Sequence, residues 1–272
     1  MSDVFLEEYS SQDAVLRYTK ETAGYGVSYL LENDYGKIYR EVLEQHIPRA
    51  AECDGIRMLE FGCGGGMNLI YLVSLVEQLG IGVRQAYGTD FSQTLIQAAN
   101  LEVDKYLAPA QRQRVKFFVA RNETLAEDLA AQLHAVTSSL DGFFHLVLGV
   151  NTIRYCHRLS KQVECAEGIF TMLDKGGVCV IIDMNDKFPL FRSRLRERRS
   201  RQKPEAYLPS LEEYVHPFTT VGFDILYKGN FCWIPHSAGP GLSKLCKGLT
   251  PLLNAVMPAH AMRSLVIARK PV

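Results

Sequence analysis

One acid and three glycines are the first residues of this chain whose types and spacing could do chemistry. Arg57-Met58-Leu59-Glu60-Phe61-Gly62-Cys63-Gly64-Gly65-Gly66 is a short apolar run that ends in an acid and passes into glycines at alternate positions, Gly62, Gly64 and Gly66. Glycine has no side chain and tolerates positive φ, so the backbone of such a turn can lie very close to a ligand. Met67 to Gly80 then carries helical apolar spacing and ends in a glycine. The helix start points its N–H groups at whatever fills the turn. Thirty residues after Glu60, Arg84-Gln85-Ala86-Tyr87-Gly88-Thr89-Asp90 reads as a second strand ending in an acid, followed by Phe91. A carboxylate there is placed to bind both hydroxyls of a ribose by charge-assisted hydrogen bonds.

The glycine spacing narrows the ligand. A dinucleotide fingerprint needs a glycine at the sixth position from Gly62, and that residue is Met67. The phosphate-gripping loop needs a Lys-Ser or Lys-Thr pair, and none follows. The acid two residues before G-x-G-x-G resembles motif I of the class I S-adenosylmethionine-dependent methyltransferases. That resemblance implies S-adenosylmethionine as cofactor, with Glu60 helping to accept its ammonium and the glycine amides meeting its carboxylate and sugar. It places Asp90 on the ribose, with Phe91 beside it.

Strand, glycine turn, helix and acid-ended strand make one βαβ half of a doubly wound sheet. Strand and helix patterns alternate from residue 56 to about 185, so the expected fold is a mostly parallel, Rossmann-like α/β sheet covered on both faces. The family pattern implies seven strands, the last antiparallel, with an N-terminal helical arm. Val115–Val119 gives a third strand, after which Asn122 and Glu123 are candidates for the adenine or for capping the next helix. Gly142–Leu148 resembles motif IV with His145 in place of its aspartate, so His145 is read as packing or hydrogen-bonding within the sheet. Its end lies at the switch point of the strand order, where open sheets bind ligands. Gly149 and Val150 would face the cofactor, and Asn151, Arg154 and Tyr155 the acceptor. Leu173–Asp183 reads as a turn and buried strand, and Phe223–Lys228 with Arg263–Arg269 as a closing antiparallel pair. His157 and His216 are the base candidates, with a solvated histidine at a helix start the stronger reading of His157.

Residues 1–50 are expected to be a helical arm or lid, with Tyr18, Tyr25 and Tyr29 offering hydroxyls and aromatic faces to a sulfonium or amine. Residues 51–272 are expected to form the methyltransferase domain, with insertions at about 186–220 and 234–262. Seven basic residues between Arg192 and Lys203 wrap round a helix rather than forming one stripe, so a solvated surface is favoured over a nucleic-acid face. In the second insertion, the apolar helical segment after the Pro235–Gly241 loop suits a partner surface or a pocket cover.

Lysine plus arginine (30) equals aspartate plus glutamate (30), so no global field favours nucleic acid or membrane. No apolar run reaches the length of a membrane span. The start of the chain lacks the pattern of a signal peptide. Seven scattered cysteines with no C-x-x-C pair read as reduced thiols, and no metal is expected. The sequence therefore points to a cytoplasmic monomer or homodimer that methylates an oxygen, nitrogen or carbon nucleophile of a small molecule. RNA or protein methylation through the basic segment, or a catalytically silent cofactor-binding subunit, are the alternatives.

Overall fold

The structure, a computed structural model, describes residues 25–47, 55–189, 208–235 and 238–272, with backbone alone for residues 25–27. Strands β1 (Ile56–Phe61), β2 (Val83–Asp90), β3 (Val115–Val119), β4 (Phe144–Val150) and β5 (Leu173–Met184) pair in parallel. β6 (Asp224–Phe231) and β7 (Arg263–Arg269) complete one seven-stranded sheet, β7 running antiparallel to both of its neighbours. The order is β3-β2-β1-β4-β5-β7-β6, so the chain reverses direction across the sheet between β1 and β4. That reversal splays the connections apart and leaves a crevice beyond the carboxyl ends of β1 and β4.

The five parallel strands are buried at most positions because helices cover both faces. Successive side chains alternate between two cores, as the pleat requires. Met58, Leu146, Leu148 and Val180 pack with Leu69 and Leu72 of α3 (Met67–Gln78) on one face. Leu59, Phe61, Val147 and Ile181 pack on the other face with Ile169 of α8 (Gln162–Met172) and with Tyr214 and Phe218 of α9 (Leu211–Val221). Tyr214 and Phe218 are wholly buried, so the described part of the 186–220 stretch contributes to the main core. Ser210 and Glu213 cap the start of α9 reciprocally, and Gly222, at φ 105°, ends it.

Before the sheet, α1 (Tyr25–Leu30), a π-helical turn (Leu31–Tyr35) and α2 (Gly36–Gln45) form one helical arm. After β2 come α4 (Gln93–Tyr106), capped by Ser92 accepting the Leu95 N–H, and the short α5 (Pro109–Arg112). α6 (Leu125–Leu133) follows β3, and α7 (Ile153–Arg158) follows β4. α10 (Pro240–Val256) lies between β6 and β7. A third buried cluster, built from Leu30, Phe188, Trp233, Ile234, Ala261 and Met262, joins α1 to the segments flanking α10. Among the described residues, no helix is long and apolar enough to cross a membrane. Cys63, Cys156, Cys165, Cys179, Cys232 and Cys246 are free thiols, and His145 Nδ1 accepts the Arg57 N–H inside the sheet at 2.9 Å.

Candidate active site

Strand register brings the tips of three neighbouring strands level. Glu60 pairs with Gly88 and Leu148, Phe61 with Thr89 and Gly149, and Asp90 with Val119. A cavity of about 300 Å³ opens at this edge. Its lining runs from the glycine loop, Asp90, Phe91, Leu95 and Asn122 on the β2 side to Val150, Asn151, Thr152, Arg154 and Tyr155 on the β4 side, and includes Leu30, Leu31 and Tyr35 of the helical arm.

The glycine loop has a left-handed backbone at Gly62 (φ 61°), Gly64 (φ 53°) and Gly66 (φ 77°). An added Cβ at Gly62 would collide with the Thr152 methyl, and one at Gly66 would come within 2.8 Å of the Phe117 ring. Close packing of the loop on its own fold therefore demands glycine at these two positions, as well as the positive φ. Gly62 and Gly64 line the cavity, whereas Gly66 lies outside the lining as the N-cap of α3.

The two acids at the strand tips differ. Asp90 lines the cavity, and its carboxylate accepts the Gly64 N–H at 3.0 Å and the Ser92 N–H at 2.9 Å. Burial pushes it up to about 6, against the pull of those two N–H groups. Each oxygen keeps lone-pair capacity for a further donor. Glu60 does not line the cavity. It is 1% exposed and accepts the Asn68 amide at 3.0 Å and the Leu69 N–H at 2.9 Å. Burial pushes it up to about 8, beyond what those bonds offset. Asn68 does face the cavity, and its amide oxygen accepts the Tyr39 hydroxyl at 3.0 Å. Glu60 is linked to the cavity through a chain, Tyr39–Asn68–Glu60, that ties the arm to the loop. Its carboxylate also takes up one orphan backbone N–H at the start of α3, that of Leu69.

The opposite end of the cavity is cationic and depends on distant parts of the sequence. Asn151 adopts φ 58°, a left-handed conformation that asparagine tolerates, with its N–H donated to the Ile182 carbonyl at 2.7 Å. Its amide oxygen accepts Arg263 Nη1 at 2.5 Å. Arg154 stacks its guanidinium 4.8 Å from the Tyr155 ring centre and donates to the Tyr155 hydroxyl at 2.8 Å. Asp183, fully buried behind them, lies 3.6 Å from Arg154 Nη1 and accepts the Arg154 N–H at 3.2 Å. Burial works against charge on Arg154, but Tyr155 and Asp183 outweigh it and hold the guanidinium firmly protonated. Thr152 Oγ1 and Arg154 Nη1 are buried with no hydrogen-bond partner, although both residues line the cavity. Such groups keep donor and acceptor capacity for a ligand.

The structure brings Gly62, Gly64, Asp90, Phe91, Asn122, Val150, Asn151, Arg154 and Tyr155 together on one cavity. Glu123 does not line it, and neither Asn122 nor Glu123 caps α6, whose N-cap position is Thr124. Gly149 lies inside the sheet, where an added Cβ would collide with Phe61. Tyr29 packs on the third cluster beneath Lys247 instead of facing the cavity. Neither histidine lines the cavity. His157 sits in the last turn of α7, turns its ring edgewise on Tyr214, and is pushed down to about 4 by burial. His216 is exposed on α9. Tyr18, the Tyr25 side chain and the basic Arg192–Lys203 segment lie outside the described residues.

Sequence reasoning missed Leu30, Leu31, Tyr35, Asn68, Thr152, Met184 and Arg263. Asp183 carried a usable signal, an acid ending a buried strand as Asp90 does. Arg263 carried none, because its partner Asn151 is 112 residues away.

A methyltransferase-domain family matches residues 52–229, well over half of the chain. No curated protein matches at the level of sequence. Among solved structures, magnesium protoporphyrin IX methyltransferase from Synechocystis PCC 6803, with bound SAH, is similar at TM-score 0.60 and 12% identity over 99% of this chain and 100% of that one. The CMeT domain of citrinin polyketide synthase aligns at TM-score 0.57 and 19% identity, over 96% and 56% of the two chains. The [4+2]-cyclase SpnF aligns at TM-score 0.53 and 15% identity, over 87% and 81%. At these identities the likeness establishes fold, and the cyclase illustrates that one fold hosts several chemistries. With its glycine loop, strand order and family match taken together, the chain belongs to the class I S-adenosylmethionine-dependent methyltransferases.

Proposed function

We propose that this enzyme transfers the methyl group of S-adenosylmethionine to an oxygen, nitrogen or carbon nucleophile of a small molecule. When bound, the cofactor supplies a methyl group already activated on a sulfonium. Asp90 is the residue proposed to hold the ribose hydroxyls, and Asn122 the adenine. Asn68, rather than Glu60 directly, is placed to meet the polar amino-acid end. The Thr152 hydroxyl and Arg154 Nη1, neither with a hydrogen-bond partner, fit a polar ligand at the junction of the two ends.

The observation that carries the small-molecule reading is the cavity itself, about 300 Å³, a size at the lower limit of ligand sites, with Leu30, Leu31 and Tyr35 of the helical arm in its lining. Within it, Asn151, Arg154, Tyr155 and Arg263 are the candidates for gripping the acceptor. Two guanidiniums against the single buried carboxylate of Asp183 favour an acceptor bearing an anionic group. With an activated methyl group, alignment supplies much of the acceleration, so the fixed Asn151–Arg263 and Arg154–Asp183 pairs act by positioning.

The test is transfer of labelled methyl from S-adenosylmethionine into a cell extract separated into small molecules, RNA and protein. Label in the small-molecule fraction, lost in Asp90→Ala, supports the reading. Label confined to RNA or protein, or transfer to nothing, overturns it.

A further inference from the structure

The helical arm touches the end of the cavity proposed for the donor through one side chain that is not part of the lining. Leu31, Tyr35 and Tyr39 recur every four residues through the π-helical turn and α2, and all three are buried. Leu31 and Tyr35 line the cavity, whereas Tyr39, the next in the series, does not. Its ring lies tilted against those of Tyr35 and Tyr71, with both ring centres 6.4 Å away. Gly36 permits this close approach of α2 to α3, since an added Cβ there would collide with the Tyr71 hydroxyl.

Tyr39 is 2% exposed, and among the described residues its hydroxyl has Asn68 Oδ1 as acceptor, at 3.0 Å. The Asn68 amide nitrogen donates in turn to Glu60 Oε1 at 3.0 Å. An amide can be turned over, exchanging oxygen and nitrogen, so a neighbour has to set its sense. Glu60 is a poor choice for that task. Burial pushes it up to about 8, so at pH 7 it is mostly protonated and can offer Asn68 either a lone pair or a proton. The Tyr39 hydroxyl does set it. Burial holds that group well above the usual phenol range, so it keeps its proton, and a buried O–H left without an acceptor is costly. Asn68 therefore turns its oxygen to Tyr39 and its nitrogen to Glu60. The amide then keeps one N–H and one lone pair for a ligand, and Asn68 is part of the cavity lining.

We propose that Tyr39 is a positioning residue for the methyl donor, fixing the sense of the Asn68 amide so that its spare N–H and lone pair meet the carboxylate and ammonium of the donor's amino-acid end. The proposal rests on the reading of this cavity as an S-adenosylmethionine site with Asn68 at that end.

Two ligands measured by calorimetry on the full-length protein test it. One is S-adenosylhomocysteine; the other is 5′-methylthioadenosine, which has the same nucleoside and sulfur but a methyl group in place of the amino-acid chain. Tyr39→Phe keeps the ring and removes the hydroxyl. It is expected to lower S-adenosylhomocysteine affinity about fivefold and to leave methylthioadenosine affinity within about twofold. Asn68→Ala is expected to show the same selective loss. Adding Tyr39→Phe to it should cost less than about twofold more, because the hydroxyl then has no amide to orient. Unchanged S-adenosylhomocysteine affinity in Tyr39→Phe overturns the proposal. So does an equal loss for both ligands, which makes the hydroxyl a support of the fold, and so does a further loss of about fivefold on top of Asn68→Ala. A wild-type protein that binds neither ligand overturns the donor reading itself, and the proposal with it.

Discussion

The two ends of the cavity are built by different means. The end proposed for the donor uses backbone and a few residues close in sequence: the left-handed loop from Gly62 to Gly66, Asn68, and Asp90 at the next strand tip. The end proposed for the acceptor uses side chains from the turn after β4, from α7 and from β5 and β7, held by an Asn151–Arg263 bond and an Arg154–Asp183 pair. A backbone cradle is rigid and specific for one constant ligand. A cluster of side chains on strand ends and loops can be exchanged without disturbing the sheet, so variation in acceptor belongs there. The difference also separates how each end fails: the donor end by loss of one contact, the acceptor end by loss of fold stability.

The largest effect expected from that contrast is at Asp90. Asp90→Ala removes the two charge-assisted bonds proposed to the ribose and leaves the Gly64 and Ser92 N–H groups without their acceptor. Affinity for S-adenosylhomocysteine by calorimetry falls at least about a hundredfold, since each such bond is worth about 1.5–3 kcal/mol. Unchanged affinity would break the assignment of the donor end.

Asp183→Asn tests the other end. The amide keeps the shape but strands the Arg154 guanidinium in a buried site, with Arg154 15% exposed and Asp183 wholly buried. Urea unfolding should show a loss of about 3 kcal/mol. Donor affinity should change by less than about threefold, because Asp183 touches no part of the glycine loop. A large loss of donor affinity with normal stability would erase the distinction between the ends.

pH acts through the donor end. Burial raises Asp90 to about 6, so the donor-free protein is favoured by protonation of this group and loses that contribution as pH rises through about 6. Ribose binding needs the ionised form and therefore has the opposite sign. Donor affinity is full above about 7 and falls up to about tenfold per unit below about 6. In Asp90→Asn this dependence disappears, along with most of the affinity.

How much of this was legible follows from sequence distance. The β1–loop–α3–β2 unit is contiguous, and strand alternation plus glycine spacing specify it, so Gly62, Gly64 and Asp90 could be read directly. The seven strands, the β4 tip at the switch point and the antiparallel closing pair followed from the family pattern. Glu60 was legible as an acid at the turn, but its bonds to Asn68 and to the Leu69 N–H of α3 were not, because nothing local signals them. Thr152 and Arg263 were not legible at all. Their place depends on β4, β5 and β7 meeting edge to edge, a tertiary fact with no local periodicity. The surroundings of His157 were hidden for a similar reason: its ring packs on Tyr214, 57 residues later, and the residue is absent from the cavity lining.

Glu60→Gln is expected to act weakly at the donor end. At pH 7 a carboxyl pushed up to about 8 is already mostly neutral, so an isosteric amide changes little charge. The Leu69 N–H keeps an acceptor, while the Asn68 amide has to find a new orientation. Donor affinity should fall by no more than about threefold, or about 0.7 kcal/mol. A loss as large as that of Asp90→Ala would mean that Glu60 sheds its proton to hold the ammonium of the donor, and the two acids would then be equal partners.

The smallest effect is expected at the histidines, where the two ends would otherwise be joined by proton transfer. A general base in reach of the acceptor contributes about a hundredfold or more. His157 is neutral at physiological pH, being pushed down to about 4, but its ring packs on Tyr214 and the residue is not part of the cavity lining. His216 stands exposed on α9. His157→Gln and His216→Ala should therefore leave kcat/KM within about twofold, with an unchanged pH profile between 6 and 9. A hundredfold fall in kcat with unaltered donor affinity would show that α7 moves on acceptor binding to carry His157 into the cavity. The acceptor would then be a hydroxyl or carbon acid that needs deprotonation, and positioning by Arg154 and Arg263 would not suffice.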